Sequence, residues 1–203
     1  DFFGYSSMLS DYQNDTLVKP AKCIAAMYLD ERDNGGSLNL SQMPSDEMSD
    51  HLKTIKLEEW LYFAAKRVQH GTNYGLKPNT MSNILLKDSY KIYGAPIYVS
   101  VADCRRLQDL YISRYPGVLA WQNRVEREIK HSRSLGCASG HIRKFFGNKH
   151  DFTTIKAALA HEPQANTAYA TNMALWRMWY DGRNRRPNGR LIVSPLHQVH
   201  DAL

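Results

Sequence analysis

The chain has 203 residues, 43% of them hydrophobic and 11% aromatic, which suits one or two domains with a sizeable core. Its three cysteines, Cys23, Cys104 and Cys137, are far apart and lack Cys-x-x-Cys spacing, which argues against a disulfide framework and a cysteine zinc site and predicts reduced, buried thiols in an intracellular protein. A formal charge of +6 favours an anionic partner, no apolar run approaches membrane-spanning length, and the first residues lack a signal-peptide pattern.

Residues 19–29 predict a short helix with Pro20 in its first turn. The acidic, Gly- and Ser-containing stretch 30–50 breaks the periodicity and predicts a surface loop with a short helical turn. A long helix follows over 57–73. At about 100° per residue, Leu57, Trp60, Leu61, Ala64, Ala65 and Val68 share one face, and that face should meet a core. Tyr62, Lys66, His70 and Asn73 cluster within about 40° of the opposite direction. Lys66, His70 and Tyr74 also recur every four residues, so a cation, a stacking ring and a phenol line one stripe, as gripping a nucleoside triphosphate requires. An ordinary amphipathic surface helix accounts for the same pattern. Gly71 inside the helix points to a close approach, and Gly75 and Pro78 supply stop signals.

Further helices are predicted over 81–93, 101–111 and 121–132, giving a helical subdomain over residues 1–139. After Ser139 the pattern changes to a short β-like stretch, with Ile142, Phe145 and Phe146 beside basic residues. Pro163 then reads as the start of a helix reaching about Tyr180, with Ala165, Ala168, Tyr169, Met173, Trp176 and Tyr180 as its buried stripe. Residues 182–190 read as an exposed basic turn, either a solvated charge run or a track for a phosphate backbone, and 191–193 as a strand. The fold class is therefore α+β and mostly helical, with residues 140–203 as a second, mixed region.

The run Lys66-Arg67-Val68-Gln69-His70-Gly71-Thr72-Asn73-Tyr74-Gly75 resembles the fingers-helix motif of family A DNA polymerases, Lys-x-x-Asn-Phe-Gly-x-x-Tyr-Gly, in a form similar to bacteriophage-type members. Other segments resemble the same family in its order. Arg114-Tyr115-Pro116-Gly117-Val118 is similar to the segment leading to the palm, and Gly140-His141-Ile142-Arg143-Lys144-Phe145-Phe146-Gly147 to the palm's first hairpin. Pro163-Gln164-Ala165-Asn166-Thr167-Ala168 resembles the start of the primer-side helix, and Gln198-Val199-His200-Asp201-Ala202 the catalytic turn. The resemblance implies fingers helices over 1–139 and a partial palm over 140–203, comprising a β-hairpin, a long helix and the start of the catalytic hairpin.

It also implies template-directed transfer of deoxynucleotides to a primer 3′ end with two Mg2+ ions. The partners would be primer-template DNA and deoxynucleoside triphosphates, and the protein a cytoplasmic, phage-encoded monomer with no membrane association. Lys66 would contact the triphosphate and aid catalysis, His70 would pack on the incoming nucleotide, and Tyr74 and Gly75 would lie beneath the nascent base pair. Gln164 and His200 would touch the primer-template, Arg143 its backbone, and Asp201 would be a catalytic metal ligand. The second carboxylate is expected upstream of Asp1. Asp11-Tyr12 superficially resembles the opening of that motif, but the residues after it lack the pattern and Asp11 is assigned no metal. With only Ala202 and Leu203 after Asp201, the expectation is a piece of a polymerase with negligible activity alone.

The sequence departs from the family at Tyr62, where arginine is common and whose contact Arg67 would have to supply, and at Gln69, His70 and Ala202. His197 and His200 have His-x-x-His spacing, but in a strand they point to opposite faces. No Walker-type phosphate loop or nucleophile elbow is present. The competing class is a non-catalytic protein that holds single-stranded nucleic acid with basic residues and exposed rings.

Overall fold

The computed structural model describes residues 8, 10, 11, 13 and 18–194. The chain divides into two compact units, residues 1–124 and 125–203. The division falls earlier than the change of pattern at Ser139, within the helix Gly117–Ser132.

The first unit is helical. Helix α1 (Pro20–Asn34) starts with proline in its first turn and stops at Gly35, whose φ of 63° lies in the left-handed region. It runs one turn further than the sequence predicts and is the central element, with Cys23, Ile24 and Ala25 fully buried. Burial pushes the Cys23 thiol up to about 11, so it is a neutral core group. Helix α2 (Ser45–Thr54) occupies the end of the stretch read as a loop. Helix α3 (Glu59–Asn73) packs on α1, and fully buried Ala64 and Ala65 in α3 and Ala25 in α1 allow the backbones to come close.

Helix α4 (Pro78–Tyr93) again has proline at its start and a left-handed glycine, Gly94, at its end. Helix α5 (Val101–Arg114) opens on Ser100, whose Oγ accepts from the Asp103 backbone N–H at 3.0 Å and donates to the Asp103 carboxylate at 2.6 Å. Tyr28 of α1 donates to the same carboxylate at 2.7 Å. Burial pushes the Asp103 carboxyl up, but the Ser100 and Tyr28 hydrogen bonds outweigh it and hold the group below the usual carboxylate range. Helix α6 (Gly117–Ser132) follows.

Under this helical layer lies a buried ionic cluster. Asp11 accepts from Arg114 Nη2 at 2.8 Å and Nε at 3.0 Å, from the Tyr115 hydroxyl at 2.6 Å and from Ser45 Oγ at 2.6 Å. Arg114 Nη1 also donates to the carbonyls of Leu40 and Met43 at 2.9 and 3.0 Å. One guanidinium thus ties the end of α5 to the segment before α2 and to Asp11.

The second unit holds a two-stranded antiparallel hairpin, β1 (Ser134–Gly136) and β2 (Ile142–Lys144), with Leu135 opposite Arg143. Helix α7 (Phe152–Tyr180) packs on β1. Pro163 is interior to α7, whereas the sequence pattern predicts that it opens the helix. The chain in fact turns into the helix at Asp151, whose carbonyl accepts from the Thr154 and Ile155 backbone N–H groups. Only the first part of α7 is buried, through Thr154, Ala158, Leu159 and His161. The expected buried stripe is half-buried at Ala165 and Met173 and exposed at Ala168, Tyr169, Trp176 and Tyr180. Leu191 makes a single bridge with Arg185, and no strand forms over 191–193. Among the described residues, no helix is long and apolar enough to cross a membrane.

His161 carries a pH dependence for this unit. Burial holds its imidazole below the ordinary value of 6.5, and the positive charge of Arg143 and the nearby His141 push the same way. Its Nε2 is buried without a hydrogen-bond partner, and its ring lies 6.0 Å from that of Phe145. The folded unit resists a proton that the unfolded chain accepts, so stability is complete above 6.5 and falls as pH drops below it. Thermal melts from pH 8 to 5 should show this loss, with a flatter profile in His161→Gln. An equally steep profile in the variant would assign the dependence to another group.

Candidate nucleotide-binding site

The outward face of α3 is the candidate site, and the helix period that buries Leu61, Ala64, Ala65 and Val68 leaves Lys66 and His70 exposed one turn apart. Tyr74 caps the helix and is half-buried, its ring meeting that of His70 edge-on at 4.9 Å between centroids. The edge of one ring therefore meets the face of the other, a favourable arrangement that fixes the His70 imidazole relative to the helix end.

That end is firmly held. Gly75 has a φ of 70°, its N–H donates to the Thr72 carbonyl at 2.9 Å, and the Leu76 N–H reaches back to the Gly71 carbonyl at 3.0 Å, which is a Schellman closure. Gln122 Nε2 donates to the Thr72 carbonyl at 2.5 Å and to that of Asn73 at 3.3 Å. Gln108 donates to the Leu76 carbonyl at 2.8 Å, and the Tyr111 hydroxyl donates to Asn73 Oδ1 at 2.9 Å. These three supports come from α5 and α6, and no local pattern marks them in the sequence. Gly71 serves the core: a Cβ there would stand 2.1 Å from Met81 Cε. The close approach that its position implies is to α4.

The remaining predicted residues divide. Arg67 turns toward α4, with its Nε 3.4 Å from Asp88 and its guanidinium 5.7 Å from the centroid of the Phe63 ring, so it is engaged away from the Lys66–His70 stripe. Tyr62 is half-buried and packs against the core. Gly75 has a conformational role in ending α3. In the second unit, Arg143 is exposed on β2 with its guanidinium 5.0 Å from the Phe145 ring centroid, and Gln164 is exposed on α7. Asp201, His200 and His197 lie outside the described residues.

Among the described residues, no group of three His, Cys, Asp or Glu side chains could hold a metal ion. Asp11 is already satisfied by Arg114, Tyr115 and Ser45. The outward face of α3 instead presents a cation, Lys66, and an exposed ring, His70, one turn apart. The chain matches no protein-family model, and no curated protein matches it.

Proposed function

We propose that α3 is the nucleotide-gripping helix of a family A DNA polymerase, which transfers deoxynucleotides from their triphosphates to a primer 3′ end under template direction. The observation that carries this reading is the pairing of an outward stripe, Lys66 and His70, with a helix end fixed from behind by Gln108, Tyr111 and Gln122. The Lys66 ammonium binds triphosphate oxygens, where its charge counts most as negative charge accumulates during transfer. His70, braced by Tyr74, stacks on the sugar and base. The Gly75 turn keeps the helix end free of side-chain bulk beneath the base pair. Arg143 and Gln164 contact the DNA, as does His200, and Asp201 holds magnesium in the proposed enzyme.

Fluorescence titration of the chain with a labelled deoxynucleoside triphosphate at low salt tests the role of Lys66. Lys66→Ala should weaken binding about tenfold or more, as expected for a hydrogen-bonded charge pair, with an unchanged melting temperature. His70→Ala should weaken it less. Equal affinity in wild type and Lys66→Ala would remove the basis of the proposal.

A further inference from the structure

We propose a second binding surface, for single-stranded nucleic acid, on the outer face of α4 and the strap that follows it. It does not depend on the role of α3, because it uses different residues and requires no triphosphate. Around the α4 axis, at about 100° per residue, Leu86, Lys87, Tyr90, Lys91 and Tyr93 all fall within about 80° of the direction of Asn83. The rings and lysines separate within that face, with Tyr93 and Leu86 on one flank, Lys87 and Lys91 on the other and Tyr90 near the crest.

The strap extends the ring side. Ile97 N–H donates to Ser89 Oγ at 2.8 Å, and Ser82 Oγ donates to the Val99 carbonyl at 2.6 Å. Two anchors seven positions apart on α4 thus lay residues 97–99 back along the Leu86 and Tyr93 flank. Ile97 is half-buried and Val99 buried, so the residue between them turns outward. Tyr98 is 75% exposed, Tyr90 64% and Tyr93 42%. The Tyr93 ring is held edge-on against Phe63 at 5.5 Å, so part of this platform is ordered before any ligand arrives.

The charges favour a polyanion. Lys87 and Lys91 stand one turn apart, a like-charge spacing that disfavours an isolated helix. Among the described residues neither has an ion-pair partner, and Asp88 is drawn to Arg67 on the other side. A row of cations beside a row of exposed rings matches a strand whose phosphates follow the lysines while its bases stack on the tyrosines. Duplex DNA hides its base faces and would use only the lysines.

The test is fluorescence anisotropy of the chain with a labelled oligothymidylate of about 16 nucleotides. Tyr90→Ala and Tyr98→Ala should each weaken binding about fivefold or more, while Tyr98→Phe keeps the ring and the affinity. Lys87→Gln with Lys91→Gln should lower the slope of log affinity against log salt by about 1.4. Duplex of the same length should compete poorly, and Lys66→Ala should bind like wild type. The proposal is overturned if the tyrosine variants bind normally, if duplex competes equally, or if Lys66→Ala loses as much as they do. Sedimentation with anionic vesicles that depends on Tyr90 and Tyr98, with unchanged oligonucleotide affinity, would overturn it in favour of a membrane surface.

Discussion

Asp11→Ala should destabilise the helical unit by about 3 to 5 kcal/mol, a large share of the roughly 5 to 15 kcal/mol that holds a domain folded. The loss comes from what is left behind. Both Asp11 and Arg114 are almost wholly buried, so the substitution takes from a buried guanidinium the carboxylate that accepts from its Nε and Nη2. It also deprives the Tyr115 hydroxyl of its acceptor at 2.6 Å. Burial already drives the Tyr115 phenol far above its ordinary value, and the nearby Cys23 and Asp11 add to the shift, so ionisation offers it no escape. Chemical denaturation of Asp11→Ala and Arg114→Met, singly and together, separates the contributions. The double variant should be more stable than Asp11→Ala, since it also removes the buried charge that has lost its carboxylate. If Asp11→Ala costs under 1 kcal/mol, the cluster is solvated in solution and does not organise the core.

None of that cluster is legible along the chain, because Asp11 and Arg114 are 103 residues apart and a charge carries no local sign of its distant partner. The helices of the first unit are legible for the opposite reason. Leu61, Ala64 and Val68 recur with the helix period, Pro20 marks a start, and Gly75 marks a stop through a backbone conformation that favours glycine. The outward stripe of α3 follows from the same period, whereas the glutamines that hold its end do not.

The second unit reads less well. Proline costs a helix interior about 3 kcal/mol, which makes Pro163 look like a first residue. In α7 the turns before it are held by Ala158, Leu159 and His161 against the hairpin unit, and tertiary burial overrides the local signal. Past Pro163, apolarity in the sequence predicts burial only when a partner surface is present. Trp176 and Tyr180 are apolar in composition yet exposed on the described helix.

Leu61→Ala should cost about 2 to 5 kcal/mol, because Leu61 is fully buried and its neighbours Ala64 and Ala65 are too small to fill the space it leaves. This variant also separates the platform from the stripe it carries. Lys66 is exposed and its loss removes charge without opening a cavity, so Lys66→Ala should change ligand affinity and leave the melting temperature alone. Leu61→Ala acts in the reverse order. It loosens the packing of α3 on α1 first, and affinity falls only as far as the stripe loses its fixed geometry. Paired melts and triphosphate titrations on the two variants should therefore give opposite signatures. A Leu61→Ala protein with wild-type stability would mean that α3 is not seated on the core through this face. The outward direction of Lys66 and His70, which follows from that seating, would then lose its physical cause.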